Sequence, residues 1–186
     1  MRGGSLADPQ IEFVFGRVDD VLKAELQAFW LKHQGDFHSE IMAFRVLSDS
    51  EFTTSSLQPR PLRRQPAAIA RSAEGEIIGI IFVVLRELEP SLGLGSHAYF
   101  QRMYVLPSER RWKLTNRLFK TFLNGFNGNP QLRDYRAAVL IAENVNPGLQ
   151  QAFARRYFAR LGFRMLGRNK LGGEVWTKEL QTLFVF

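Results

Sequence analysis

The sequence contains no cysteine in its 186 residues. Disulfides, thiolate metal centres and cysteine nucleophiles are therefore excluded, while the redox compartment stays open, because a lack of thiols fits any poise. Long hydrophobic runs are also missing. The longest, IIGIIFVVL from Ile77 to Leu85, falls far short of the roughly 20 residues a helix needs to cross a bilayer, and its β-branched residues mark a buried strand. The opening MRGGSLADPQ has an arginine but no apolar core of signal-peptide length, so residues 1–10 are expected to form a flexible leader and a cytoplasmic location is the default. His33 and His38 show no metal-ligand spacing, and no serine or histidine lies in a nucleophile elbow. Glycine is absent from one informative place. Between the strand-like YFQRMYVL and the helix-like LTNRLFKTFLNGF stands PSERRWK, a turn without the glycines that usually let backbone approach a phosphate at a helix N-terminus.

What is present is positive charge. Lys and Arg number 25 against 18 Asp and Glu, a formal net charge of +7, so an anionic partner is expected: a nucleotide cofactor, an acidic carrier protein or nucleic acid. Hydrophobic residues make up 45% and charged residues 23%, which is the balance of a globular chain large enough to bury a core, and residues 11–186 are expected to form one domain.

Periodicity gives the order of elements. IEFVFGRV (11–18) alternates as a strand, and Val21, Leu22, Leu26, Phe29 and Trp30 recur at helical spacing up to Gly35. A second short helix is expected at 39–47, followed by a long loop through residue 66 whose three prolines oppose regular structure. AAIARSA and IIGIIFVVLRELE read as a hairpin, and HAYFQRMYVL as the next strand. Leu114, Leu118, Phe119, Phe122, Leu123 and Phe126 form one helical stripe, YRAAVLIAEN a strand, and NPGLQQAFARRYFARLG a helix with Leu149, Phe153, Tyr157, Phe158 and Leu161 inward. FRMLGRNKLGGEVWTKEL closes as a hairpin. The predicted order is β, α, α, β, β, β, α, β, α, β, β.

That order, with Val105, Leu106 and Pro107 opening a helix and a later helix closing on ARLGF, resembles the GNAT superfamily of acyl-CoA-dependent N-acyltransferases over roughly 11–180. The resemblance implies an α+β fold, a three-layer αβα arrangement around a mixed, mainly antiparallel sheet of about seven strands. It also implies a cofactor loop of the pattern V-x-P-x-x-(R/Q)-x-x-G-x-(G/A), matched here by Val105, Pro107 and Arg110. The two glycine positions fall on Lys113 and Thr115. Arg110, Arg111 and Lys113, with the amides through Leu114 and Thr115, would hold the cofactor pyrophosphate, charge standing in for close backbone approach. A basic, solvated first turn explains the same residues without a ligand.

For the chemistry, attack of an amine on a thioester, the resemblance places an oxyanion donor at the Met103 amide and pantetheine contacts at Asn144 or Asn146. The family's base position is Tyr99, a phenol poorly suited to accept a proton near neutral pH, so His97, two residues earlier on the same strand face, and Glu143 are the alternative bases. The family's acid position is Phe158, with Tyr157 adjacent and about 100° around the helix. Three functions fit: an acyl-CoA-dependent N-acyltransferase acting on a small-molecule or peptide amine; a relative taking its acyl group from an acidic acyl carrier protein, as N-acyl amino acid and acyl-homoserine lactone synthases of this fold do; or a non-enzymatic module binding RNA or protein. Nucleic acid is disfavoured because aromatic residues are not interleaved with the basic ones on an obvious face.

Overall fold

The apolar run IIGIIFVVL lies in the interior of a sheet, and Ile80, Ile81, Phe82 and Val83 have no exposed surface, as both faces of that strand are covered. The computed structural model describes residues 8–45, 62, 64–169 and 172–181. Among the described residues there are seven strands: β1 (Gln10–Phe13), β2 (Gln65–Arg71), β3 (Ile77–Glu87), β4 (His97–Val105), β5 (Ala137–Asn144), β6 (Arg164–Arg168) and β7 (Glu174–Glu179). They lie in the order β1-β2-β3-β4-β5-β7-β6. Every neighbouring pair is antiparallel except β4 and β5, which are joined through helix α2 (Trp112–Gly128), the kind of crossover a parallel pair requires.

Helix α2 lays Leu114, Leu118, Phe119, Phe122, Leu123 and Phe126 on one face of the sheet, the stripe expected from the sequence. Helix α3 (Ala152–Arg160) adds Phe158 to the same cluster. On the other face α1 (Asp20–Arg45) buries Leu26, Phe29, Trp30 and Phe37 against Ile69, Ile80, Phe82 and Tyr104. The architecture is the expected α+β sandwich of a mainly antiparallel sheet between helices.

Four boundaries differ from expectation. The first two predicted helices are one: α1 runs through Gly35, whose position faces open space, because Phe37 and Ile41 continue the inward stripe, and packing outweighs the ~1 kcal/mol that an interior glycine costs. Residues 46 and 47 of the predicted second helix lie outside the described residues, as do 48–61 of the predicted loop. Pro66 sits inside β2, accommodated by a register shift between Pro66 and Ala68. The first strand stops at Phe13 because Gly16 turns the chain at φ +70°. Helix α3 starts only at Ala152, after a short 3-10 turn at Pro147–Gln150, so Phe153 is exposed and Ala154 and Phe158 point inward. Of the expected leader, residues 1–7 lie outside the described residues, whereas Asp8 pairs with Lys113 at 3.1 Å and the Pro9 carbonyl accepts from Arg117 at 3.2 Å.

Gly125 lets α2 approach β1 so closely that an added Cβ would lie only 2.2 Å from Phe13 Cγ. Gly125→Ala is expected to cost about 1–3 kcal/mol through overpacking, read as a fall of several degrees in Tm by calorimetry; an unchanged Tm would refute this packing.

Candidate active site

Strands β4 and β5 part company midway. Their parallel pairing ends at Gln101 opposite Ala142, whereas β3 holds β4 as far as Val105 and β7 holds β5 as far as Asn144. Each strand follows its outer neighbour and its own twist, so a wedge opens between them. The backbone facing this wedge follows from alternation. The Leu106 amide donates to the Ile78 carbonyl at 2.9 Å, so the amides of Tyr104 and Arg102 also face β3, and those of Val105 and Met103 face the wedge. Met103 N–H therefore points into a space that no described strand fills.

That space belongs to a cavity of about 680 Å³ that passes through the wedge and is lined from both faces of the sheet. On the α2 and α3 side it meets Gln101, Met103, Asn144, Phe119 and Tyr157; on the α1 side it meets Arg64, Arg86, Arg102, Tyr104 and Glu143. Arg102 bridges the wedge, donating to the Glu143 carbonyl at 3.0 Å and to its carboxylate, whose other oxygen lies 3.4 Å from Asn169 Nδ2.

Two buried side-chain atoms on the α2 and α3 side have no partner among the described residues: Asn144 Nδ2, a donor, and Gln101 Oε1, an acceptor. Buried polar atoms are rarely left in this state, and these two line the cavity. Asn146 is engaged differently, its Oδ1 accepting from the Gly148 amide at 2.8 Å to form a turn. The two asparagines that spacing left equivalent thus have different surroundings.

The turn without glycine opens on the same cavity. Pro107–Glu109 forms one 3-10 turn, and Arg111 precedes the first residue of α2. The Thr115 amide donates to the Arg111 carbonyl at 3.0 Å, while the three amides before it, at Trp112, Lys113 and Leu114, have no i−4 helical carbonyl to bond. The side chains of the turn lie away from those amides. Arg110 Nε donates to the Val105 carbonyl at 2.8 Å and its Nη2 to Glu40 at 2.5 Å; Lys113 reaches Asp8; Thr115 Oγ1 donates to its own helix at the Arg111 carbonyl, 3.2 Å away. Leu114 packs into the core.

Tyr157 donates to Asn116 Oδ1 at 2.7 Å and meets the Trp112 ring edge-on at 5.0 Å. Phe153 and Tyr157, four residues apart, form a stripe about 100° around α3 from the buried Ala154 and Phe158 stripe, and that stripe faces the start of α2. Burial pushes the Tyr157 phenol up to about 12, which keeps its proton in place at neutral pH.

Of the residues singled out from sequence, Met103, Val105, Arg110, Arg111, Thr115, Glu143, Asn144, Asn146 and Tyr157 line the cavity. Lys113 and Leu114 do not bring their side chains to it. His97 and Tyr99 do not line it either. His97 starts β4, five residues and about 17 Å before Arg102, with Nδ1 3.0 Å from Ser96 Oγ. Tyr99 is packed edge-on against Phe15 and Phe126, and its oxygen accepts from the Asp134 amide at 2.9 Å; burial raises its pKa further, removing it as a base. Counting from the motif placed both residues on β4 but not beyond the point where the wedge opens. Sequence reasoning passed over Arg86 and Arg102, though two cations on the otherwise apolar face of Phe82, Phe100 and Tyr104 were a legible signal.

No protein-family model matches the chain, and no curated protein does. Solved structures do. A GCN5-related N-acetyltransferase from Kribbella flavida is 14% identical, with 92% of this chain and 98% of that one covered and a TM-score of 0.51. An acetyltransferase of the GNAT family from Streptococcus pneumoniae is 12% identical, with 94% and 100% covered and a TM-score of 0.50. The fold is the GNAT fold. At such identity the likeness concerns the path of the chain, and the wedge between β4 and β5 in this GNAT fold must be judged on its own residues.

Because the folded state holds the Tyr157 proton more tightly than the unfolded chain, stability is expected to fall as pH rises from about 10 to about 12, where unfolded phenols ionise first. Tyr157→Phe should make that fall shallower in pH-dependent thermal melts. An unchanged slope would show that the phenol is not held in its neutral form.

Proposed function

We propose that the protein is an N-acyltransferase that takes an acyl group from acyl-CoA and places it on a primary amine. The observation that carries this reading is the Met103 amide, left without a strand partner and facing the cavity between the parted strands. An N–H held rigidly in a wedge can stabilise charge on a thioester oxygen without reorganising, the condition under which such donors contribute most. The cavity also suits the rest of the donor. Asn144 Nδ2 and Gln101 Oε1 offer one donor and one acceptor, the complement of an amide such as those in the pantetheine arm. The free amides at the start of α2, with Arg111 beside them, suit its pyrophosphate.

The donor supplies an electrophilic acyl carbon and a thiol leaving group. Met103 N–H would hold the carbonyl oxygen. Glu143 would orient the incoming amine and take its proton, directly or through water, and Tyr157 would turn its proton from Asn116 toward the departing sulfur. A carrier-protein donor finds less support, since two of the three cations that would form its docking rim, Arg110 and Lys113, are engaged by Glu40 and Asp8.

Acetyl-CoA and longer acyl-CoAs are expected to raise Tm, and adenine nucleotides without pantetheine to raise it less. Asn144→Ala should weaken acyl-CoA binding about tenfold in calorimetry by removing one well-placed hydrogen bond. Tyr157→Phe should lower kcat roughly a hundredfold with little change in donor affinity. No stabilisation by any acyl-CoA at millimolar concentration, alongside turnover with an acyl carrier protein thioester, would replace this reading with the carrier-protein one; neither would remove it.

A further inference from the structure

The cavity has two ends with different chemistry. The end on the α2 and α3 side is neutral apart from Arg111 at the mouth. The end on the α1 side is crowded with cations: Arg64 stands over the Phe82 ring at 5.0 Å, Arg86 over the Phe100 ring at 5.4 Å, and Arg102 is the cross-strand partner of Phe82. All three line the cavity. Among the described residues two acidic side chains line it as well, each bonded to an arginine: Glu40 to Arg110 and Glu143, through one carboxylate oxygen, to Arg102. Among the described residues neither Arg64 nor Arg86 has a hydrogen-bonded carboxylate, so the described lining of this end carries more positive than negative charge, with Glu143 the nearby anion that acts on Arg64. Burial, then the neighbouring charges of Arg102 and Arg86, lowers the pKa of the Arg64 guanidinium, so its charge is held at a cost that an anion would relieve.

We propose that Arg64 and Arg86 bind an acidic group on the acceptor, so that the acyl-accepting substrate is a small amine that also carries a carboxylate or phosphate, as an amino acid does. This rests on the acyltransferase reading for the amine but not for the anion. The Glu143 oxygen that Arg102 does not hold marks where the ammonium end would lie, and the two arginines, on the same face of the sheet, mark the acidic end. A bare amine would meet net positive charge on entering, whereas a zwitterion matches both ends, and planar guanidinium groups suit carboxylate and phosphate oxygens. Arg102 is the positioning residue between them, since its bonds to Glu143 fix that carboxylate.

The test measures binding by calorimetry without any thioester, using product-like probes: N-acetylated amino acids against their methyl esters, and N-acetyl-phosphoethanolamine against N-acetylethanolamine. At least one acidic member is expected to bind about tenfold or more tightly than its neutral counterpart, and the arm that does so separates carboxylate from phosphate. Arg86→Gln, at an exposed strand position that the fold tolerates, and Arg64→Gln should each abolish that preference while the thermal shift given by acetyl-CoA persists. Equal binding of acids and neutral controls, no binding of any acid, or a preference that survives both substitutions overturns the proposal. A preserved anion preference in a protein that acyl-CoA does not stabilise would instead overturn the donor reading and leave the anion site standing.

Discussion

The structure depends on one mismatch in hydrogen bonding. Strand β4 is committed to β3 to its last residue and β5 to β7 to its last residue, yet the two are committed to each other only as far as Gln101 and Ala142. In an otherwise antiparallel sheet, the single parallel pair is the one place where a helix must cross over, and the crossover helix α2 begins immediately beyond the wedge. The same event therefore produces the gap, turns an amide into it and brings a helix N-terminus to its edge. No side chain is needed for any of the three.

Side chains decide what the wedge can hold. Arg102 and Glu143 span it on the α1 face, so that face is bridged by an ion pair while the opposite face keeps its unpartnered donor and acceptor at Asn144 and Gln101. Helix α3 is fixed over that second face from beneath. Glu174 on β7 has no exposed surface; it accepts from Arg155 Nε at 2.8 Å and from Trp176 Nε1 at 3.2 Å, anchoring α3 to the sheet. Glu174 is fully buried while the Arg155 side chain is 43% exposed, so this contact compensates a buried carboxylate and fixes the rotation of α3, and with it the direction of Tyr157. The rotation is what brings a tyrosine one residue away from the expected position to the cavity.

The turn PSERRWK shows how a helix N-terminus stays open without glycine. Glycine helps by having no side chain in the way, and the same clearance results when each side chain is drawn elsewhere: Arg110 to Glu40 and Val105, Lys113 to Asp8, Thr115 to its own helix. The charges expected to replace close approach have mostly structural partners. Arg111 is the member of the group whose cation remains at the cavity mouth.

Patterns of one or two residues were determined by the sequence itself. The period of the α2 stripe, the β-branched run of β3, the strand and helix order after residue 65 and the Val105 to Arg110 turn follow from local periodicity and turn chemistry, which depend on neighbours in the chain. Tertiary structure decided everything that depends on which strands stay paired. Helix α1 continues past Gly35 because Phe37 and Ile41 find a sheet to pack on, Phe153 is turned outward because Ala154 and Phe158 claim the core, and His97 lies away from the cavity because the wedge opens beyond it. Asn144 and Asn146 are alike in sequence and both reach the cavity, but Asn144 is buried with its Nδ2 unpartnered among the described residues, whereas the Asn146 side chain closes a turn. Arg102 and Glu143 are 41 residues apart along the chain and meet only across the wedge between β4 and β5, because local pattern carries no information about which charges a distant strand will bring together.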